Sequence, residues 1–359
     1  MARQDALSIY LNDEEKDKLS EIYGQVIEAV QKEALSEKIK NTNYSGDATS
    51  GSVEIDRFAN ATVDDLGTAR GKGAGNKLKN SGKVVINVDT DKEIVEEVAN
   101  KDLKLHGVSG VAEKRKKNHV SRMAAYLDRE FFRCVEGAGT VITVAGATIQ
   151  AKLEELIQSV ENTNNEWVDG VDRELLVLTV TPKIYGDLEN YIDSVPNSLT
   201  GLTDEYFHRV RIYSNHRQTA EAICMIEGAA GQLVTTDEYG LEKIPLSNDF
   251  ALELFFSKGT KAVMPDLIKM FHAEAFSAAK TKETVNIGGK KVGVSLKNAI
   301  GNIKVEVPAE TNGLLVAKLA EDNSKITFEA MTGLTAKDYA VKLTDSKNKE
   351  VTITVTVAA

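Results

Sequence analysis

Cysteine is nearly absent from this 359-residue chain: only Cys134 and Cys224 occur, and there is no Cys-x-x-Cys. Two isolated cysteines exclude a disulfide framework and a zinc ribbon, and they read as small buried apolar side chains. His106, His119, His208, His216 and His272 are scattered, with no two at the spacing of a helical metal pair. No metal and no cofactor are expected. No apolar run approaches the roughly 18 residues of a membrane span, so no membrane partner is expected. The first residues, MARQDALSIYLNDEEKDK, lack the basic-then-apolar order of a secretory signal, which implies synthesis in a cytoplasm.

Catalytic signatures are missing as well. There is no Gly-x-Ser-x-Gly elbow and no distinctive Ser, His and Asp arrangement. Gly71-Lys72-Gly73-Ala74-Gly75 superficially resembles a phosphate cradle, but no Gly-Lys-Ser/Thr follows, and the next pattern is a strand rather than a helix. No catalytic residue is nominated and the chain does not read as an enzyme. A formal net charge of -10 excludes a broad basic face gripping nucleic acid. It is compatible with a wall that encloses DNA without attracting it.

What is present is length, at about 100 to 200 residues per domain enough for two or three domains, and a strong change of pattern along it. Residues 13–40 read as an amphipathic helix with Leu19, Ile22, Tyr23, Val26, Ile27, Val30 and Ala34 on one face. Asp13, Glu14, Glu15 and Asp17 crowd its first turns, where the helix dipole favours anions. Residues 41–52 are turn formers with no packed domain around them, so the apolar stripe predicts a partner outside the local fold.

From Val53 to Val98 the pattern is extended around a Gly- and Lys-rich centre, residues 66–83, which predicts a protruding hairpin-like loop. Arg70, Lys72, Lys77 and Lys79 make its tip basic inside an acidic chain. That charge suits either solubility or steering onto an acidic neighbour. A long helix follows over about 111–135, with Val120, Met123, Ala124, Leu127, Phe131 and Val135 on one face. Lys114 to Lys117 on its polar side read as a solvated face, since no aromatics interleave with them.

Residues 140–247 alternate strands and helices. LLVLTV at 175–180 is a continuous apolar run, as expected of a strand covered on both faces, and Pro182 opens the next helix. Residues 250–268 read as two strands around Lys258-Gly259-Thr260, and residues 273–283 as a polar, helix-like linker. The last 75 or so residues hold six or seven short alternating strands, the pattern of a small separate β-sandwich.

This order of parts resembles the major capsid proteins of tailed bacteriophages, the Hong Kong 97-like fold. The resemblance is carried by KVVINVDTDKEIVEEVANKDLKLHG as the returning half of an extended loop, and by SGVAEKRKKNHVSRMAAYLDREFF as a spine helix. ELLVLTVTPKIYGDLENYIDS matches the axial strand and helix, and IPLSNDFALELFFSKGTKAVMPDLI the return to the peripheral sheet. It implies an α+β fold divided as an N-terminal arm (1–55), an extended E-loop (56–104), a peripheral domain with the spine helix (105–139), an axial domain (140–247), return strands (248–272) and a linker (273–283). Residues 284–359 resemble a bacterial immunoglobulin-like domain, notably in KITFEAMTGLTAKDYAVKLTDSKNKEVTITVTV, where a tyrosine precedes a late strand.

The resemblance implies self-assembly into hexamers and pentamers of an icosahedral head around double-stranded DNA, without sequence-specific binding. Arg70, Lys72, Lys77 and Lys79 at the loop tip and Leu19, Ile22, Tyr23, Val26, Ile27 and Val30 in the arm would then lie between subunits. Portal and scaffolding proteins would be partners, the location would be the virion after assembly in the host bacterial cytoplasm, and the immunoglobulin-like domain would face outward. Some relatives crosslink a loop lysine to a neighbour's asparagine; Lys72, Lys77 and Lys79 are available, but no asparagine partner is identifiable and no crosslink is expected. The competing readings are an encapsulin-like cargo shell, a cell-surface adhesive protein suggested by the terminal sandwich, and, last, an α/β enzyme.

Overall fold

The computed structural model describes residues 21–22, 25–26, 28–44, 51–61, 82–194, 206–245, 247–272 and 275–358. The basic loop tip (Arg70, Lys72, Lys77, Lys79) and Leu19, Tyr23 and Ile27 of the arm lie outside the described residues. The chain divides into two compact units. One comprises residues up to Phe131 with Ala230–Val263, the other Phe132–Ala229 with Met264–Ala359. The architecture is mixed α+β, with several sheets.

In chain order the arm's helical residues 28–33 lead into α1 (Leu35–Ile39), followed by strands β1 (Ser52–Ile55), β2 (Val84–Asn87) and β3 (Thr90–Val98). Next come the long helix α2 (Asn100–Ala138), β4 (Thr140–Val141), α3 (Ile149–Glu161), β5 (Leu176–Val180) and α4 (Pro182–Ser194). Strands β6 (Tyr206–Phe207), β7 (Val210–Ser214), β8 (Ala222–Ile226), β9 (Ala230–Lys243), β10 (Phe250–Ala262) and β11 (Ile268–Phe271) complete the body.

In the first unit, β1 and β2 form an antiparallel pair from Ser52↔Asn87 to Ile55↔Val84. A separate three-stranded sheet runs β3-β10-β9. Its apolar side, with Val98, Leu252, Leu254 and Phe256, shares one core with Val111, Val120, Met123, Ala124 and Leu127 of α2. The arm joins the same core: Ile22, Val26, Val30 and Ala34 are all buried in it. A stripe at three- and four-residue steps seeks whatever apolar surface is near, and here it is the chain's own. For Ile22, Val26 and Val30, the expectation of a partner outside the chain gives way to a partner inside it.

Three further expectations are corrected. The long helix begins at Asn100 rather than near 111. Its first turn is held from a distance, because the Asn100 backbone N–H donates to Asp249 Oδ1 at 3.1 Å, a cap that no local pattern reveals. Residues 250–268 do not fold as two strands around Gly259: β10 runs unbroken from Phe250 to Ala262. The glycine serves close approach instead of a turn, since a Cβ at 259 would sit 1.9 Å from the carbonyl oxygen of Asn87. Finally β9, within the span assigned to the α/β body, pairs with β10 in the first unit.

In the second unit a six-stranded sheet has the order β4-β11-β8-β5-β7-β6. The sheet is mixed: β5 is parallel to β7 and antiparallel to β8. Every residue of β5 is buried, as its uninterrupted apolar run predicts. The core contains Leu153, Leu156, Ile157 and Val160 of α3 and Ile184 and Leu188 of α4. Thr148 caps α3, its hydroxyl accepting from the Ala151 N–H.

The C-terminal part contains β12 (Ser277–Ala278), β13 (Lys282–Asn286), β14 (Val292–Lys297), β15 (Lys304–Glu306), β16 (Leu315–Leu319), β17 (Lys325–Ala330), β18 (Asp338–Thr344) and β19 (Glu350–Ala358). They make two four-stranded sheets, β12-β14-β17-β16 and β13-β19-β18-β15. Both contribute to one core, with Val294, Ile326 and Phe328 from the first and Tyr339, Val341, Ile353 and Val355 from the second. The helix-like linker expected at 273–283 is not a helix where described; Phe276 is buried in this core and Ala278 packs on it, which draws the segment into the sheet as β12.

Gly259→Ala should destabilise the protein by about 2 kcal/mol or more, read as a lower denaturation midpoint, because the added Cβ would meet backbone atoms of Asn87 and Val88 rather than a movable side chain.

Candidate functional site

In the first unit, rigidity comes from polar groups placed inside an apolar stripe. Asp128 lies one helical turn beyond Ala124 on α2 and is almost fully buried. Its carboxylate accepts from the backbone N–H groups of Leu35 (3.2 Å) and Ser36 (2.8 Å) at the start of α1. The arm is thus pinned by two charge-assisted bonds, stronger than neutral ones. Beyond α1, the Asn41 N–H donates to the Ala230 carbonyl at 2.8 Å.

The sheet is fastened to α2 in the same way. Glu96 on β3 accepts from Arg115, and it lies 3.0 Å from Nε2 of the fully buried His119. The guanidinium bond, aided by His119, holds the Glu96 carboxyl below the usual range despite partial burial. Lys258 on β10 is buried and ion-paired with Glu130 of α2, with its ammonium 5.3 Å from the centre of the Tyr126 ring. Within the run expected to be a solvated face, Arg115 is bonded to Glu96 and Lys116 to Gln25 of the arm.

The loop stem is seated through two glycines. Ile86 and Ile55 press over Gly231, where a Cβ would come 2.5 Å from Ile86 Cδ1, and the Asn87 backbone lies against Gly259. Twenty-eight residues separate the paired ends Ile55 and Val84, and among them stand Arg70, Lys72, Lys77 and Lys79. Strand β3 is a sheet edge, and Asp91, Glu93, Val95 and Glu97 are exposed along one of its faces.

The second unit holds two charge clusters. Arg173 bridges Glu154 and Glu161 at 2.7 Å each, and His208 Nδ1 lies 3.0 Å from Glu154. Burial would raise the Glu154 carboxyl, but its bonds from Arg173, His208 and Gln158 prevail and bring it to about 2. A carboxylate so firmly ionised is a weak base, and its place is to tie α3 to the turn before β5 and the β6–β7 turn. Glu136 near the end of α2 is the opposite case. It is buried and accepts from the N–H groups of Thr219 (2.5 Å) and Ala220 (2.7 Å) and from Gly301. Burial outweighs those bonds and lifts its carboxyl to about 7. Nearby, Lys347 donates from Nζ to the carbonyls of Gly137 (2.9 Å) and Gly139, a cation at the helix C-terminus, where the dipole favours one.

The sequence reading names no role for Asp128, Glu130 or Glu136, and takes His119 only as one of five scattered histidines. The signal was available: each sits at or beside an apolar position of the α2 stripe, where a charged side chain requires a partner. Among the described residues no group of three or more His, Cys, Asp or Glu side chains converges as for a metal ion. Neither Cys134 nor Cys224 is in a disulfide, and burial pushes the Cys224 thiol up. None of the described helices is long and apolar enough to cross a membrane.

No protein family matches the chain, and no curated protein matches it. Solved structures do. A Mycobacterium phage Che8 structure aligns at 16% identity and a TM-score of 0.47, covering 62% of this chain and 84% of the other. The capsid structure of cyanophage P-SCSP1u aligns at 13% identity and 0.46, covering 65% and 85%. A virus-like particle from Pyrococcus furiosus aligns at 14% identity and 0.46, covering 71% and 98%.

Two outcomes follow from the buried carboxylates. Asp128→Ala should cost about 2 kcal/mol or more and open residues 28–44 to protease, read by denaturation and by limited digestion. Glu136 has a folded-state value near 7 against 4.5 when unfolded, so its stabilisation is complete below the lower value and lost as pH rises through the upper one, on the order of 3 kcal/mol in all. The thermal midpoint should therefore fall from about pH 5 to about pH 8, and Glu136→Gln should flatten that fall.

Proposed function

We propose that this chain is the major capsid protein of a tailed bacteriophage, of the Hong Kong 97-like fold, assembling as hexamers and pentamers of an icosahedral head around double-stranded DNA. The observation that carries the reading is the β1–β2 stem. It is locked onto β9 and β10 at Gly231 and Gly259, yet it carries a 28-residue segment with a basic centre that its own strands do not need for pairing. A rigid stem with a long charged extension is what reaching a neighbour requires.

The edge strand β3 supports the same reading, because Asp91, Glu93 and Glu97 offer an acidic row for the Arg70, Lys72, Lys77 and Lys79 tip of another copy. The arm contributes differently from the first expectation: Ile22, Val26 and Val30 stiffen the subunit, and contacts between copies are assigned to Leu19, Tyr23 and Ile27, which lie outside the described residues. Each such contact is weak, and a closed lattice multiplies it.

The C-terminal sheets are read as an immunoglobulin-like domain on the outer surface. The Tyr339 hydroxyl donates to the Thr335 carbonyl four residues upstream at 3.0 Å, as in the tyrosine corner of such sandwiches. Portal and scaffolding proteins are the expected partners, assembly is placed in the host bacterial cytoplasm, and no catalytic step is assigned. Deleting residues 67–82 should leave a folded subunit, judged by an unchanged circular dichroism spectrum, that forms no icosahedral particles under negative-stain microscopy. Normal particles from that deletion would overturn the proposal.

A further inference from the structure

Charge is distributed unevenly along the chain and again between the two faces of its last domain. From Phe276 onward there are twelve lysines against nine aspartates and glutamates, a local balance of +3 within a chain of net -10. On the sheet β13-β19-β18-β15 the lysines are neutralised: Lys282 pairs with Asp338 (3.1 Å), Lys304 with Glu306 (2.7 Å) and Lys342 with Glu350 (2.7 Å). The other sheet is different. Lys297 on β14, Lys325 on β17 and Lys318 on β16 are exposed, and none has a carboxylate partner among the described residues.

Register places these three lysines in a row. Ser295 is paired with Lys325 across β14 and β17, and Lys318 with Thr327 across β16 and β17. Lys297, Lys325 and Lys318 therefore step diagonally across three adjacent strands, each step about 7–8 Å, the spacing of diagonal neighbours in a sheet. Between them lie only short side chains: Gly293, Ser295 and Thr327, with Ser277 opposite Lys297 on β12. A side chain at 293 would collide with Lys325, whose Cε would be 2.0 Å from a Cβ there; the glycine leaves that lysine room to lie across the strand.

The single carboxylate in the strands of this sheet, Glu329, is occupied by Lys291 at 3.0 Å. In the β16–β17 turn, Asp322 is held by the N–H and hydroxyl of Ser324. The one aromatic in these strands, Phe328, is buried.

We propose that the outer face of β12-β14-β17-β16 binds a linear anionic polysaccharide, with Lys297, Lys325 and Lys318 meeting successive acidic groups and Ser295 and Thr327 hydrogen-bonding sugar hydroxyls. Three arguments select this occupant. The row of unpaired cations calls for an extended polyanion. The face has no apolar centre of the kind that anchors protein interfaces. It has no exposed aromatic on which the bases of single-stranded nucleic acid would stack. The site rests on the sandwich alone and does not depend on the shell reading.

Heparin serves as the probe, with neutral dextran and oligo-dT as comparisons, and binding to the full chain is measured by calorimetry and by retention on immobilised heparin. Heparin should bind, dextran should not, and log affinity should fall with log salt with a slope of about -2, as for roughly three neutralised charges. The triple variant Lys297→Gln, Lys318→Gln and Lys325→Gln should bind about tenfold or more weakly. Lys282→Gln, Lys304→Gln and Lys342→Gln, the same charge change on the opposite sheet, should leave binding unchanged. If the first triple melts early, Lys318→Glu alone should still weaken binding severalfold. No binding of heparin, an equal loss in both triples, or oligo-dT binding as tight as heparin would each overturn the assignment.

Discussion

The apolar stripe of the long helix is the surface against which the first unit is laid. Val120, Met123, Ala124 and Leu127 receive the arm from one side and the inner side of the β3-β10-β9 sheet from another, all in a single core. Each large side chain buried in this way contributes roughly 1.5–3 kcal/mol. The stripe decides that the arm and sheet are held, but not at what register, because apolar contact has no direction. Register comes from the charged groups set into or beside the stripe. Asp128 accepts two particular N–H groups, Glu96 accepts from Arg115 beside His119, and Lys258 meets Glu130. Buried charges are costly unless satisfied, so each of these admits one placement of its partner.

Glycine plays the complementary part at Gly231 and Gly259. Both let another strand approach the backbone closely, and together they fix the root of the β1–β2 stem. The fold thus places its closest backbone approaches at the base of the β1–β2 pair.

Most elements were legible because periodicity reports burial. The alternating C-terminal strands, the uninterrupted apolar run of β5 and the stripe of α2 all appear where their patterns placed them. The misses share a physical cause: long-range contact overrode a local signal. Gly259 resembles a turn until Asn87 is known to lie on it, the start of α2 depends on Asp249, and residues 273–283 look helical until Phe276 finds a core. In sequence the arm is an orphan, because its stripe is visible while its partners, some 70 to more than 200 residues onward, are not. Among site residues, the lysines and apolar positions could be named in advance. The buried carboxylates could not be assigned roles, because their meaning lies in backbone N–H groups that sequence does not place.

Lys347 gives the terminal sandwich a second identity. Its ammonium reaches the carbonyls of Gly137 and Gly139, while Gly301 donates to Glu136 one residue earlier. The C-terminal sheets therefore finish a helix that began more than two hundred residues before them. These strands are not a detachable ornament: any replacement grafted in their place must bring its own cation and its own N–H to the same helix end, or α2, the longest of the described elements, ends unsatisfied.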